Sequence, residues 1–346
     1  MPERSLWLLT GLTIVTGGCA SNRGLDIYFI DMVGGAATLI VTPERETILV
    51  DSGRALERDA SRIEHVLREV VGRPRIDHMV TTHWHLDHYG GIGLLDGRIA
   101  FGQFHDRGIP EQSLDDPENF PKLIAAYKKA SGGVSNTLVA GDAIPLRQGS
   151  HPPLTLRCLM AGGKMSPSAP EHAEPNPFCD QHVAQPPDTG DDGMSLVLLL
   201  SYGDFDFYNA GDLTWNFERD LVCPVNRVGQ VELFQTAYHG AAKSNNPVLV
   251  HALRPRVAVM CNGPRKGGAK ETVATLRAGK GLADIWQLHR NTRSSEAEQP
   301  PADRTANWRN PEGGAYIHVH VEPSGREFTT RISTDGPALC YPSWND

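Results

Sequence analysis

Three short apolar runs follow one another early in the chain, at residues 25–31, 36–42 and 47–51, with Gly34-Gly35 and Pro43-Glu44 between them. Runs of this length, bounded by turn residues, predict strands. Over residues 59–71 the spacing changes. Ile63, Val66, Leu67, Val70 and Val71 recur at helical intervals and Gly72 closes the segment. A strand at 78–82 then leads into His83. The alternation continues with a helix at 121–130, strands at 137–146 and 154–160, and an apolar hairpin at 194–202 and 205–210. Further strands are expected at 231–238, 257–261 and 284–289, and helices at 247–253 and 270–278. A closing hairpin is expected at 316–322 and 327–332. Residues 161–193, rich in Pro, Gly, Ser, Asp and Glu, read as a surface excursion, and the polar stretch 293–312 as a mobile loop. Mixed strands and helices in two similar halves predict an α/β fold, two sheets sandwiched between helical layers, in one domain over residues 25–340.

Composition narrows the classes. The chain has 346 residues, 40% hydrophobic and 21% charged, so a large core is available. Collagen, a coiled coil, a helical repeat array and a polytopic membrane protein are excluded. A net charge of −8, from 33 basic and 41 acidic residues, does not support nucleic acid as a partner on charge alone, although a local basic groove stays open. No protein partner is identifiable.

At the N-terminus, Met-Pro-Glu-Arg precedes apolar residues 6–15, about half the length needed to cross a bilayer as a helix. A charged start, a short apolar stretch and small residues up to position 19 are the pattern of a signal peptide. The ending Gly17-Gly18-Cys19 resembles a bacterial lipoprotein signal, which implies export and a periplasmic or outer-membrane-anchored protein whose membrane contact is a lipid on Cys19. Cys158, Cys179, Cys223, Cys261 and Cys340 remain, without Cys-x-x-Cys spacing, and an exported chain would permit one or two disulfides.

The chemistry concentrates at residues 83–88, His-Trp-His-Leu-Asp-His. Three imidazoles and a carboxylate within six residues, at the end of a strand, can turn toward one cation or two adjacent ones. Imidazole and carboxylate ligands suit zinc, Zn2+, one or two per chain, and an added carboxylate shifts preference toward Mn2+.

This motif and its companions resemble the metallo-β-lactamase superfamily. Ile48-Leu49-Val50-Asp51-Ser52-Gly53 matches that family's first motif, and His83, His85, Asp87 and His88 match its second. Asp212 in Ala-Gly-Asp matches the bridging aspartate, and His239 in Tyr-His-Gly the last ligand histidine. The resemblance implies a four-layer αββα sandwich and a metallo-hydrolase. It also implies one site of His83, His85 and a third histidine, a second of Asp87, His88 and His239, and Asp212 bridging them. The third histidine is missing. Its position is Asp191, so either Asp191 (or its neighbour Asp192) completes the first site or that site is weak or empty. Asp51 is expected behind the ligands, accepting an imidazole N–H, or else as a turn cap.

A finer similarity is to the metallo-β-lactamase-like branch of ComEC-type competence proteins, in stand-alone secreted form. It rests on residues 25–40, on residues 195–203, and on His239-Gly240 with Ser244. It implies an activity of phosphodiesterase or nuclease type, with Asp87 or Asp212 orienting an activated water against a small-molecule or phosphodiester substrate. The alternatives are an acyl hydrolase acting on a lactone, thioester or β-lactam, and a lipid-anchored metal-binding protein without catalysis. Candidate substrate contacts are Ser244, Asn262, Arg265, Lys266 and His289. Trp84 and Trp215 are expected as pocket walls, and His318 and His320 on a solvent face.

Overall fold

The computed structural model describes residues 23–344 apart from 114, 150, 151, 168 and 170–172. The expected signal segment and Cys19 lie outside the described residues.

Six strands open the fold: β1 (Leu25–Phe29), β2 (Thr38–Val41), β3 (Thr47–Val50), β4 (Arg75–Val80), β5 (Ala100–Asp106) and β6 (Asn136–Thr137). The chain then crosses to β7 (Ala143–Ile144), β8 (Leu154–Ala161), β9 (Lys164–Met165), β10 (Val197–Tyr202), β11 (Phe205–Asn209), β12 (Leu233–Gln235), β13 (Val257–Met260) and β14 (Asp284–Gln287). It returns to the first sheet as β15 (Ile317–Val321), β16 (Glu327–Ile332) and β17 (Leu339–Pro342). The nine-stranded sheet runs β17-β16-β15-β1-β2-β3-β4-β5-β6, and the other runs β14-β13-β12-β11-β10-β8-β7 with β9 on β8. Both sheets are mixed: β3, β4 and β5 pair parallel, as do β11 through β14.

Strands buried on both faces must be apolar throughout, which is why their sequences read as continuous runs. Along β1 and β10 the period of two sends Ile27, Phe29, Leu198 and Leu200 between the sheets, where they meet Phe207, Val259 and Trp286. Tyr28 and Leu39 face outward, under α1 (Glu57–His65), α2 (Leu86–Tyr89), α3 (Ile92–Leu95) and α4 (Phe120–Ala130). Val197, Leu199 and Phe234 face α5 (Trp215–Val222), α6 (Pro247–Leu253) and α7 (Lys270–Ala278). The result is the expected αββα sandwich.

Several details differ from expectation. Residues 137–146 are not one strand but the crossover between sheets, with Thr137 paired in the first and Ala143 and Ile144 in the second. β5 is semi-exposed and interrupted by Gly102 and Gln103, so its apolar signal is weak. His318 is buried, stacked on Tyr28 at 4.5 Å and bonded to Asp26 at 2.8 Å, rather than facing solvent. The stretch 293–312 is docked by Gln299, whose buried side chain bonds the backbone of Asn291, Ser294 and Ser295. The excursion is pinned by a Cys179–Cys223 disulfide.

Candidate metal centre

Each strand that supplies the site does so at its C-terminal end. Asp51 follows β3, His83 and His85 follow β4, Asp87 and His88 open α2, Asp212 follows β11, and His239 follows β12. The parallel pairs β3–β4 and β11–β12 therefore aim their outgoing loops at one edge of the sandwich. His239 sits in a turn where its φ is 56° and that of Tyr238 is 53°, a left-handed conformation held by the Tyr238 N–H donating to Gly211 O at 3.1 Å.

Three groups of side chains converge, the ligand atoms of each within 4.8 Å of one another: His83, His85 and Asp192; Asp87, His88 and His239; and His83, His88 and Asp212. Asp212 lies between the first two, its Oδ1 3.3 Å from His88 Nε2 and its Oδ2 3.3 Å from His239 Nε2. His239 Nε2 is also 3.5 Å from Asp87 Oδ2. Four of these buried atoms have no hydrogen-bond partner: His88 Nε2, His239 Nε2, Asp192 Oδ1 and Asp212 Oδ1. Buried polar atoms are ordinarily paired, so unpaired lone pairs converging from two imidazoles and two carboxylates fit a cation.

The surroundings fix the rings. Asp51 accepts from the Thr82 N–H at 2.9 Å and the Thr82 hydroxyl at 2.8 Å, and stands 2.8 Å from His88 Nδ1. This leaves His88 Nε2 as the ligating nitrogen. Asp115 plays a similar part behind His85, 3.3 Å from its Nε2. Burial, reinforced by the His88 charge, keeps His83 well below the usual histidine pKa, in the neutral form that binds metal. Burial opposes charge on His88 too, but the Asp212 and Asp51 carboxylates prevail and raise it. Burial likewise works against ionised Asp87 and Asp212, and the neighbouring imidazoles hold both well below the usual carboxylate range.

The expectation for Asp191 is corrected. Its carboxylate is turned away, accepting the Trp84 N–H at 2.5 Å and pairing with Arg107. The adjacent Asp192 takes the place of the missing histidine, its Oδ1 2.8 Å from His85 Nδ1 and 3.6 Å from His83 Nε2. A turn over Asp192–Met194 decides which of the two acids faces the cluster.

The candidate substrate contacts divide. Lys266 reaches the cluster and pairs with Asp87, while Arg265 is exposed on the same loop. Ser244 is buried and donates to Leu213 O at 2.7 Å. Asn262 is buried and ties down the backbone of His289, donating to its carbonyl at 2.7 Å and accepting its N–H at 3.2 Å. His289 is buried against Asp31. All three are buried and held by internal bonds, so none is exposed to a substrate. Trp84 is also a core residue, edge-on to Tyr89 and Tyr127. Trp215, by contrast, lines a cavity of about 430 Å³ with Pro186, Thr214, Asn216 and Lys243. Lys243, which the sequence did not single out, bonds Asp192 Oδ2 at 2.9 Å and lies over the Tyr238 ring. A larger, acidic cavity of about 1050 Å³, with Asp206 and Glu232 in its wall, lies where β11 and β12 begin, away from the cluster.

Residues 30–159, which include the whole His83–His88 motif, match the family model of the Metallo-beta-lactamase superfamily. The matched stretch is a little over a third of the chain, and over it the chain is similar to that superfamily of metal-dependent hydrolases, in keeping with the two-sheet sandwich and the ligand cluster. No curated protein matches the chain. Among solved structures, one assigned as a metal-dependent hydrolase from Parabacteroides distasonis is 15% identical, covering 76% of this chain and 92% of that one, with a TM-score of 0.42. A diphosphatase of the PhnP family is 12% identical, covering 78% and 96%, with a TM-score of 0.40. The diiron β-hydroxylase CmlA from Streptomyces venezuelae is 18% identical, covering 68% and 44%, with a TM-score of 0.39. The chain thus spans less than half the length of CmlA.

Proposed function

We propose that the protein is a zinc-dependent phosphodiesterase, ComEC-like in its branch of the superfamily, with Mn2+ as the alternative metal. The observation that carries the substrate class is a ring of cations on the ligand carboxylates. Lys266 pairs with Asp87, Arg54 lies 3.8 Å from the same oxygen, and Lys243 bonds Asp192. Each of these side chains is partly exposed. In a chain of net charge −8, cations gathered at the mouth of the cluster favour an anionic substrate, both by steering and by contact with phosphate oxygens. A neutral lactone or thioester carries no ground-state charge for them to hold.

Bound metal supplies Lewis acidity and a water that loses its proton near neutral pH. The chain's residues do the rest. Asp51 and Asp115 hold His88 and His85 in their ligating orientations, and Asp212 spans the two ligand groups. Asp87 and Asp212 are the carboxylates placed to orient the attacking water. Lys266 and Lys243 meet the phosphate oxygens that do not react.

Assays of protein loaded with zinc or manganese against bis-p-nitrophenyl phosphate, a lactone, nitrocefin and single-stranded DNA test the reading. Turnover of the phosphodiester, abolished in His85→Ala and Asp212→Ala together with metal binding, is expected. Hydrolysis of the lactone or nitrocefin alone would instead establish an acyl hydrolase, and metal binding without any turnover a non-catalytic role.

We also propose export, with a lipid on Cys19 as the sole membrane contact. The signal-like N-terminus supports it, and so does the Cys179–Cys223 disulfide, a bond that persists in oxidising compartments. No helix among the described residues is long and apolar enough to cross a membrane. Palmitate labelling of the wild type and of Cys19→Ser tests the anchor.

A further inference from the structure

A buried, closely bonded pair of side chains outside the ligand set joins the two sheets at the end that carries the cluster. Asp31 comes just after β1 in one sheet, and His289 just after β14 in the other. Both are fully buried, with His289 Nε2 2.5 Å from Asp31 Oδ1. Asp31 Oδ1 also accepts the Val33 N–H at 2.8 Å, and its Oδ2 accepts from Arg62 of α1 at 2.9 Å. His289 Nδ1 is buried without a partner, so among the described residues Asp31 is the ring's one hydrogen-bonded anchor.

What the pair holds is the turn at residues 31–36, which touches both halves of the metal centre. On one side the Ala36 N–H donates to Asp87 O at 3.1 Å, and the Gly53 N–H donates to Ala36 O at 2.8 Å. The packing there is close enough that a Cβ at Gly35 would lie 2.7 Å from the Asp87 carbonyl. On the other side Gly34 abuts Gly263 and Lys266 of the glycine-rich loop. That loop in turn reaches His239, since the Gly268 N–H donates to His239 O at 2.9 Å. Asp87 from the first sheet and His239 from the second are thus connected through the turn and the loop.

We propose that Asp31 and His289 are a positioning pair: they hold the 31–36 turn against the backbone of Asp87 and the glycine-rich loop, and so set the spacing of Asp87 and His239 for the cation these residues share with His88. The proposal rests on the metal reading of the cluster. A ligand set drawn from two sheets binds tightly only if the sheets are fixed relative to one another, since small displacements of ligands cost affinity. A buried hydrogen-bonded pair that served stability alone would, on removal, lower the melting temperature and leave metal affinity intact.

The experiment titrates zinc into the metal-free full chain by calorimetry, with metal content by mass spectrometry and melting temperature recorded alongside. The variants are His289→Ala, His289→Gln, whose amide N–H can still donate to Asp31, and Arg62→Met. Affinity for the ion held by Asp87, His88 and His239 should fall about tenfold or more in His289→Ala, remain close to wild type in His289→Gln, and fall by less in Arg62→Met. Unchanged zinc affinity in His289→Ala, or an equal loss in the Gln variant, overturns the proposal. If His289→Ala does not fold, Arg62→Met decides alone: unchanged affinity overturns it. A wild type that binds no zinc overturns the metal reading itself, and this proposal with it.

Discussion

Asp192 Oδ1 lies 2.8 Å from His85 Nδ1, where the superfamily pattern would place a third histidine. Asp192 opens the turn over Asp192–Met194, which carries its carboxylate to the cluster. Replacing Asp192 with Asn removes the negative ligand and should lower zinc content by one ion per chain. Asp191→Asn should retain both ions and lower the melting temperature, because Asp191 serves Trp84 and Arg107 rather than metal. Metal analysis of the two variants side by side checks the assignment. Equal metal loss in both would refute it.

Asp51 offers a second test. It occupies a left-handed backbone position, with φ of 63°, and bonds Thr82 twice while fixing the ring of His88. Asp51→Ala should weaken metal binding roughly 10- to 100-fold, the usual effect of losing such an outer partner. Competition with a chromogenic chelator measures the change. Retained affinity would make Asp51 a turn residue only.

Much of this site was legible in the sequence, for a physical reason. His83, His85, Asp87 and His88 are consecutive outputs of one strand and one short helix, so their convergence is local. Asp212 and His239 each follow an apolar strand, and the strand pattern announces them. The choice between Asp191 and Asp192 was not legible, because it depends on the phase of one turn. Lys243 and Asp115 were missed because nothing local marks them, and only tertiary packing brings them to the cluster. His289 and Asn262 looked like pocket residues for the opposite reason: polar groups at strand ends face either a ligand or another loop, and the sequence does not distinguish the two. The strand β5 was lost to its own polarity.

The cations at the cluster mouth predict a charge-selective defect. Lys266→Met and Lys243→Met should each raise KM for bis-p-nitrophenyl phosphate about tenfold, the loss of one charge-assisted hydrogen bond, with a smaller change in kcat. Inhibition by inorganic phosphate should weaken in parallel. Variants with unchanged KM and phosphate inhibition would remove the support for an anionic substrate.

Glu218 in α5 makes stability depend on pH. It is fully buried, and burial raises its pKa from 4.5 to about 7, against the lowering effect of the N–H groups of Asn246 and Asn245. The folded state therefore binds this proton more tightly than the unfolded chain. The contribution is complete below pH 4.5 and fades as pH rises through 7, by at most roughly 3 kcal/mol. Glu232 is shifted the same way, also to about 7. Melting temperature should fall from pH 5 toward pH 7.5, and Glu218→Gln should flatten that slope. A melting temperature that rises across this interval, in wild type and variant alike, would contradict the assignment.

The disulfide separates stability from metal binding. Cys179 and Cys223 are 44 residues apart and tie the excursion to the end of α5. Closing a loop of that length restricts the unfolded chain by about 4 kcal/mol in the chain-entropy model. The excursion carries Asp192, so reduction would release a ligand if the bridge alone held the segment. Other bonds, however, hold the intervening segment: Trp215 Nε1 donates to Val183 O at 2.9 Å, and Asn216 exchanges two bonds with the Gln185 backbone at 2.7 and 3.0 Å. These sit between the bridge and Asp192 and should keep the carboxylate at the cluster. A Cys179→Ser, Cys223→Ser double variant should therefore unfold at lower temperature or denaturant concentration while folded protein keeps the wild-type zinc content. Loss of one zinc from the folded variant would show instead that the bridge, not the Trp215 and Asn216 bonds, holds Asp192 in place.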